Sequence, residues 1–201
     1  MSKKIPLRAE NVRRALAQEA ARIMSEHGVR DFLFAKRKAA ERFGVVDGAA
    51  LPKNTEIEAA LVEYQRLFQA DTHVESLYAQ RMVALEAMRL LDAFQPRLVG
   101  PVLLGTATEH DEVQLHVFSE RAENVTFALL DRGVEYEVAE RRIKINNDRV
   151  LAQPAVRFEL DAQLVEAIVF AVDGIRQAPV SPVDGKPLRR AARAEVEALL
   201  T

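Results

Sequence analysis

Residues 100–115, GPVLLGTATEHDEVQL, are the stretch that decides the fold of this chain. They follow a short apolar run at residues 97–100 and lead into residues 112–118, where apolar and polar side chains alternate. Alternation with a period of two is typical of a β-strand that buries one face. Between these two predicted strands, Gly100 and Gly105 stand five positions apart, which leaves room for one helical turn. The stretch therefore predicts a strand, a single helical turn and a second strand.

The chain before this stretch is predicted to be helical. Apolar residues recur there at intervals of three and four, as at Val12, Leu16, Ala20 and Ile23, which is the spacing of one helix face. The predicted helices cover residues 9–27, 31–43, 55–67 and 72–94. We therefore predict a helical region at residues 1–95, with a boundary near Gln95. The alternative is that the last of these helices packs on the sheet that follows.

The chain after Gln95 is predicted to be an α+β domain with a mixed sheet, residues 96–201. One amphipathic helix is predicted at residues 120–132, and a final helix at 191–200. Three further strands are predicted, at residues 134–145, 150–161 and 164–172, the first two joined by a turn at 146–148.

Composition narrows the classes of function. With no cysteine among 201 residues, disulfide frameworks, thiolate catalysis and zinc–cysteine sites are excluded. A net charge of −2 does not indicate a nucleic-acid partner. The longest nearly apolar run, residues 167–172, is far shorter than the roughly 20 residues of a membrane helix, so no membrane partner is expected. The N-terminus is charged and lacks the apolar core of a signal peptide, so we expect a cytoplasmic protein.

The opening stretch resembles the signature of the nucleotidyltransferase superfamily, which has the polymerase-β-like fold. In that family a glycine and a serine follow a strand, a second glycine comes five residues later, and Asp-x-Asp lies on the next strand. Gly100 and Gly105 keep this spacing, whereas Pro101 stands in the serine position, and Glu112 and Gln114 stand in the two aspartate positions. The resemblance implies a nucleotidyltransferase-like sheet with an altered metal site.

Nucleotidyl transfer uses two divalent metal ions, so the resemblance implies Mg²⁺ or Mn²⁺ as a cofactor. Residues i and i+2 of a strand share a face, so Glu112 and Gln114 would point at the same ion, and a third ligand would come from a neighbouring strand. Glu159 is the predicted third ligand, and Asp161 competes with it on the same face. The predicted catalytic residues are Glu112, Glu159 and Asp161. The predicted metal ligands are Glu112, Gln114 and Glu159, but the neutral amide of Gln114 is a poor ligand for a hard dication and predicts weak binding.

A nucleotide is the ligand that the resemblance implies. Glycine allows backbone amides to approach phosphates, and the basic residues ahead of the last predicted helix could close over a triphosphate. Those basic residues could equally pair with the acidic residues of that helix. The predicted nucleotide-binding residues are Gly100, Gly105, Thr106, Lys186, Arg189 and Arg190.

His116 shares the predicted strand face of Glu112 and Gln114. Together with Glu159, these residues could form a Glu/His site for a transition metal. The alternative is that His116 is a polar surface residue or a hydrogen-bonded one, with no metal.

A wider resemblance involves residues 20–24, 35–40 and 181–187, which are similar to segments of a family of short bacterial proteins. Some of its members are catalogued as UDP-N-acetylmuramate–alanine ligases. That activity implies an ATP-binding Gly-Lys-Thr/Ser loop, but the Gly185-Lys186 pair is followed by Pro187. The sequence therefore does not support a ligase.

Three functions follow from these observations. The first is a nucleotide-binding or regulatory module with lost or weak catalysis. The second is an active metal-dependent nucleotidyltransferase that uses Glu112 and Glu159. The third is a protein-interaction module in which the N-terminal helices bind a partner or a second copy of the chain. An exposed apolar stripe on residues 55–94 would favour the third.

Overall fold

The computed structural model describes residues 4–45, 51–68, 70–146 and 149–200, and these form a mixed α/β structure. Within those ranges there are seven α-helices and one five-stranded mixed sheet, so the predicted fold class is confirmed at this level. Asn147 and Asp148 of the predicted turn lie outside the described residues. The elements in chain order are α1 (Lys4–His27), α2 (Phe32–Arg42), α3 (Asn54–Phe68), α4 (Ala70–Leu90), β1 (Arg97–Val99), α5 (Gly100–Leu104), β2 (Val113–Phe118), α6 (Ala122–Leu130), β3 (Tyr136–Lys144), β4 (Val150–Leu160), β5 (Gln163–Phe170) and α7 (Arg193–Glu197).

The chain forms two compact units, divided within α4 between Val74 and Glu75. The helical unit ends at Val74 and also includes Thr108–His110 and Pro182–Asp184, whereas the sheet unit contains the rest of the chain. The part of α4 after Glu75 belongs to the sheet unit, because it contributes buried residues such as Met88 to the core beneath the sheet.

The helical unit has its own core, in which α1 packs on α2 and α3. Leu16 and Ile57 are fully buried there, and alanines such as Ala20, Ala35 and Ala39 face them. Alanine side chains let helix axes approach closely, because they occupy little space between the backbones. Among the described helices, none is both long enough and apolar enough to span a bilayer.

The sheet has the strand order β1-β2-β5-β4-β3. Only the β2–β5 pair is parallel, while the three other pairs are antiparallel. β4 and β5 are joined by Asp161 and Ala162, whose φ angles of +50° and +61° are those of a tight hairpin turn. β5 therefore returns from β4 and lies directly beside β2.

The two faces of the sheet differ, as the alternation in β2 predicted. Val113, Leu115 and Val117 belong to a buried core that includes residues of α4, α5 and α6, and we call this side the helix-covered face. Gln114 and His116 lie on the opposite side, which we call the second face. Apolar side chains from β2, β4 and β5 form a smaller cluster on the second face, and Ile175 of the following segment packs against it.

Candidate functional site

A row of polar residues crosses the second face of the sheet. Gln114 of β2 pairs in register with Glu166 of β5, which pairs with Arg157 of β4, which pairs with Glu137 of β3. Residues paired in register point to the same side of a sheet, so these four side chains lie next to one another. Glu112 comes two residues before Gln114, immediately ahead of β2.

Glu166 is the centre of this row, with a side chain only 1% exposed. A buried carboxylate is strongly disfavoured unless it is paired and hydrogen-bonded. The Nε atom of Arg141 donates to both carboxylate oxygens of Glu166, at 2.7 and 2.8 Å, and Nε of Arg157 donates to Oε1 at 2.9 Å. The hydrogen bond to Glu166 raises the pKa of Arg157 above its ordinary value. Two guanidinium groups thus compensate the one buried carboxylate.

Arg141 reaches Glu166 from a distant position in the sheet. It pairs in register with Gln153, two rows away from the row of Glu166, on the edge strand β3. The row between them contains Ala139 and Ala155, whose small side chains leave space for the long arginine stem to cross. Nη2 of Arg141 also lies 3.4 Å from Oε2 of Glu112, whose side chain is 13% exposed.

We refer to Glu112, Arg141, Arg157 and Glu166 as the arginine–glutamate cluster. Its two carboxylates and two guanidinium groups balance in charge. A divalent ion needs carboxylate oxygens that are free to coordinate it, but the oxygens of Glu166 already accept charge-assisted hydrogen bonds. Across the described ranges, no three His, Asp or Glu side chains are grouped so that they could hold a metal ion. The residues present therefore do not fit the Mg²⁺ or Mn²⁺ that the family resemblance implies.

The two glycines of the opening stretch have local structural roles. Gly100 has a φ angle of +72°, and a Cβ atom there would lie 2.5 Å from Oε1 of Gln114, so the Gln114 amide fills the space beside this glycine. Gly105, with a φ angle of +80°, ends α5, and its N–H donates to the Pro101 carbonyl. The N–H of Thr106, a buried residue, donates to the same carbonyl. This is the usual hydrogen bonding of a helix C-terminus that ends in glycine.

The buried His116 and the half-buried Arg190 form a hydrogen-bonded pair on the second face. Nε of Arg190 donates to Nδ1 of His116 at 2.9 Å, and the guanidinium lies over the rings of Phe118 and Phe170, 5.1 and 5.2 Å from their centroids. Burial, with a smaller contribution from the Arg190 charge, lowers the pKa of His116 to about 3. His116 is therefore a neutral hydrogen-bond acceptor.

Arg190 is committed to this pair and to the backbone around it. Its Nη1 donates to the carbonyl of Gly174 at 2.8 Å, and burial lowers its pKa to about 10. The next residue, Ala191, exchanges two 2.9 Å backbone hydrogen bonds with Leu98 of β1. Arg190 thus joins the C-terminal segment to the sheet, which leaves little of it to contact a nucleotide.

The remaining predicted residues are not brought together. Glu159 is exposed on β4 opposite Leu164, and β5 lies between β4 and β2, so Glu159 is not on a strand that neighbours Glu112. Asp161 is exposed in the turn after β4. Lys186 and Arg189 are exposed in the segment that precedes α7.

Sequence reasoning missed Glu166, Arg141 and Arg157. One signal was available: Glu166 is the one charged residue in the apolar run at residues 164–172. Charged residues are almost never fully buried without a partner, so an isolated glutamate in such a strand indicates a paired carboxylate. Arg141 carries no such signal, because β3 is rich in charged residues. Arg157 carries none either, because it stands in a strand where apolar and polar residues alternate.

Comparisons of the chain with protein-family models, with curated proteins and with solved structures give no match.

Proposed function

We propose that this chain is a regulatory protein with a nucleotidyltransferase-like sheet, which acts by binding and not by metal-dependent nucleotidyl transfer. The kinship is supported by the order of elements: a strand, Gly100 at the start of a short helix, and a second strand led by Glu112 and Gln114. It is further supported by Glu166, which lies beside Gln114 on the neighbouring strand, where a third carboxylate would be expected.

One observation supports the proposed loss of catalysis: Arg141 and Arg157 donate hydrogen bonds to the carboxylate of Glu166. A dication entering the cluster would have to displace two guanidinium groups and stand beside their charges. Like charges in a partly buried environment repel by several kcal/mol at about 4 Å. We therefore expect the wild-type protein to bind neither Mg²⁺ nor a nucleotide–Mg²⁺ complex at this position.

Two assays test this proposal. In calorimetry with each of the four NTPs and Mg²⁺, at millimolar ligand, we expect no saturable heat. In a second assay, radioactive NTP is incubated with the protein and with RNA, and we expect no transfer of label. Transfer that is lost in Glu112→Ala but kept in Glu159→Ala would support an active enzyme and contradict the proposal. Glu159 is the matched control because it is a glutamate in the same sheet, outside the cluster.

A specific observation favours protein binding through the helical unit. A groove of about 470 Å³ is lined by α1, α3 and Phe43. Leu67 and Phe68 at its edge are 60% and 71% exposed. Exposed large apolar residues grouped around a groove are typical of a protein-interaction site. Within residues 55–94, the exposed apolar residues that would favour this function are Val62, Leu67 and Phe68 of α3 and Val74, Tyr78 and Met82 of α4.

The candidate occupant to test first is a second copy of the chain. In sedimentation equilibrium at concentrations up to about 100 μM, a range set by the weak affinities of small interfaces, we expect self-association of the wild type. Leu67→Ser/Phe68→Ser should weaken it. Leu33→Ser/Phe34→Ser is the control, because these residues are also about half exposed but lie on α2, outside the groove. A monomeric wild type would exclude a second copy as the occupant.

A further inference from the structure

The arginine–glutamate cluster occupies the place where the family resemblance implies a metal, and its arrangement assigns a role to one arginine. Glu112 precedes β2, and Glu166 lies on the adjacent parallel strand β5. These are the two carboxylates that a shared ion would need, and Arg141 contacts both of them, at 3.4 and 2.7 Å. Arg157 also contacts Glu166, at 2.9 Å, from the neighbouring strand β4.

We propose that the guanidinium of Arg141 replaces a divalent cation: it bridges Glu112 and Glu166 as the ion would, and it closes a latent cation site that its removal would open. A guanidinium is suited to this position because it is planar, stays charged, and donates in fixed directions to two carboxylates. Unlike a bound ion, it cannot dissociate. The pairing of the two strands is therefore independent of metal supply.

The position of Arg141 in the sheet supports its role as the bridge between Glu112 and Glu166. The side chain comes from the edge strand β3 and crosses a row of alanines to reach Glu166, although Gln153 is its neighbour in register. Arg142, the next residue, is exposed and, by the alternation of the strand, belongs to the opposite face. Removing either arginine changes the net charge by the same amount. Only the removal of Arg141 leaves Glu112 and Glu166 without their shared cation.

The test compares Arg141→Met/Gln114→Asp with Arg142→Met/Gln114→Asp. Methionine keeps much of the apolar stem, and the Gln114→Asp change supplies the ionised oxygen that the family pattern has at this position. Mn²⁺ is the probe, because carboxylate oxygens are suitable ligands for it and free Mn²⁺ can be counted by electron paramagnetic resonance. For R141M/Q114D we expect one Mn²⁺ bound with a dissociation constant below about 1 mM, in the range of weak carboxylate sites. Mn²⁺ should also raise the Tm of this variant, because a ligand that binds only the folded state stabilises it.

The wild type and R142M/Q114D should show no saturable Mn²⁺ binding and no Tm shift, since Arg141 still bridges the two glutamates. A folded R141M/Q114D that binds no Mn²⁺ would overturn the inference, as would equal binding by R142M/Q114D. If R141M/Q114D does not unfold cooperatively, Arg141→Gln/Gln114→Asp enters the same assay. Glutamine has an N–H donor at the position of Nε, and it removes the charge and the Nη2 contact with Glu112. The inference is then overturned by the same two results, namely no Mn²⁺ binding by the folded Arg141 variant or equal Mn²⁺ binding by R142M/Q114D.

These results separate this inference from the proposed function. Mn²⁺ binding by the wild type would contradict both. If the wild type and the folded Arg141 variants all bind no Mn²⁺, only the role of Arg141 is contradicted. The proposed absence of metal-dependent transfer is then unaffected.

Discussion

The burial of His116 beside Arg190 predicts a specific loss of stability in mild acid. Burial and the Arg190 charge lower the folded-state pKa of His116 from 6.5 to about 3. Below pH 6.5 the unfolded chain therefore binds a proton at this residue that the folded chain does not. Stability rises with pH wherever the unfolded state binds more protons, so the contribution of His116 is fully present above pH 6.5 and is lost as the pH falls toward 3.

The magnitude follows from the width of this window. Each pH unit within it costs about 1.4 kcal/mol. Between pH 7.5 and 4.5, only the interval below pH 6.5 contributes, which is about 2 pH units, so the free energy of unfolding falls by roughly 3 kcal/mol. That is a large fraction of the 5–15 kcal/mol by which domains are typically stable.

The assay is urea unfolding of the wild type and of His116→Gln at pH 7.5 and 4.5. Glutamine offers an oxygen that can accept the hydrogen bond from Arg190 Nε, and it does not titrate. Between the two pH values, the free energy of unfolding should fall roughly 3 kcal/mol more in the wild type than in H116Q. His27→Gln is the control for a histidine-to-glutamine change at an exposed site, because His27 is exposed at the end of α1. Equal losses in the wild type and H116Q would refute this account of the pair.

Three further outcomes are expected from substitutions measured by chemical unfolding at neutral pH. Glu166→Gln should lower the free energy of unfolding by about 2–4 kcal/mol, since it leaves two partly buried guanidinium groups without their carboxylate, whereas Glu159→Gln should change it by less than about 0.5 kcal/mol. Gly100→Ala should cost about 2 kcal/mol, because alanine is strained at φ +72° and its Cβ displaces Gln114, while Gly133→Ala, at φ +70° in open space, should cost only the backbone strain of about 1 kcal/mol. Leu16→Ala should cost about 3–5 kcal/mol, because this fully buried leucine leaves a cavity in the core of the helical unit. Equal costs within either matched pair, or a Leu16→Ala cost below about 1 kcal/mol, would contradict the packing described.

Local patterning was enough to predict the elements of the sheet unit. The alternation at residues 112–118 predicted β2 to within one residue, and it predicted that Gln114 and His116 share the face opposite Val113, Leu115 and Val117. The apolar run at residues 164–172 predicted β5. Such predictions succeed because the period of side-chain exposure is a property of the backbone conformation and needs only neighbouring residues.

The extent of the helical region was less accessible from the sequence. The end of α4 and Pro96 mark a change from helix to strand, which places a boundary near Gln95. Contacts instead divide the units near Val74, because the apolar positions of α4 are buried beneath the sheet. The period of a helix states which face is apolar, but it does not state which surface covers that face.

The sequence by itself determined the strands, their faces, and the placement of Glu112 and Gln114 at the start of β2. Only the tertiary structure decided that β5, and not β4, pairs with β2, so the carboxylate beside Gln114 is Glu166 and not Glu159. It also decided that Arg141 reaches that carboxylate from the far edge of the sheet. The physical reason is that strand pairing and long side-chain reach join residues distant in sequence. Local periodicity contains no information about which of several similar strands become neighbours.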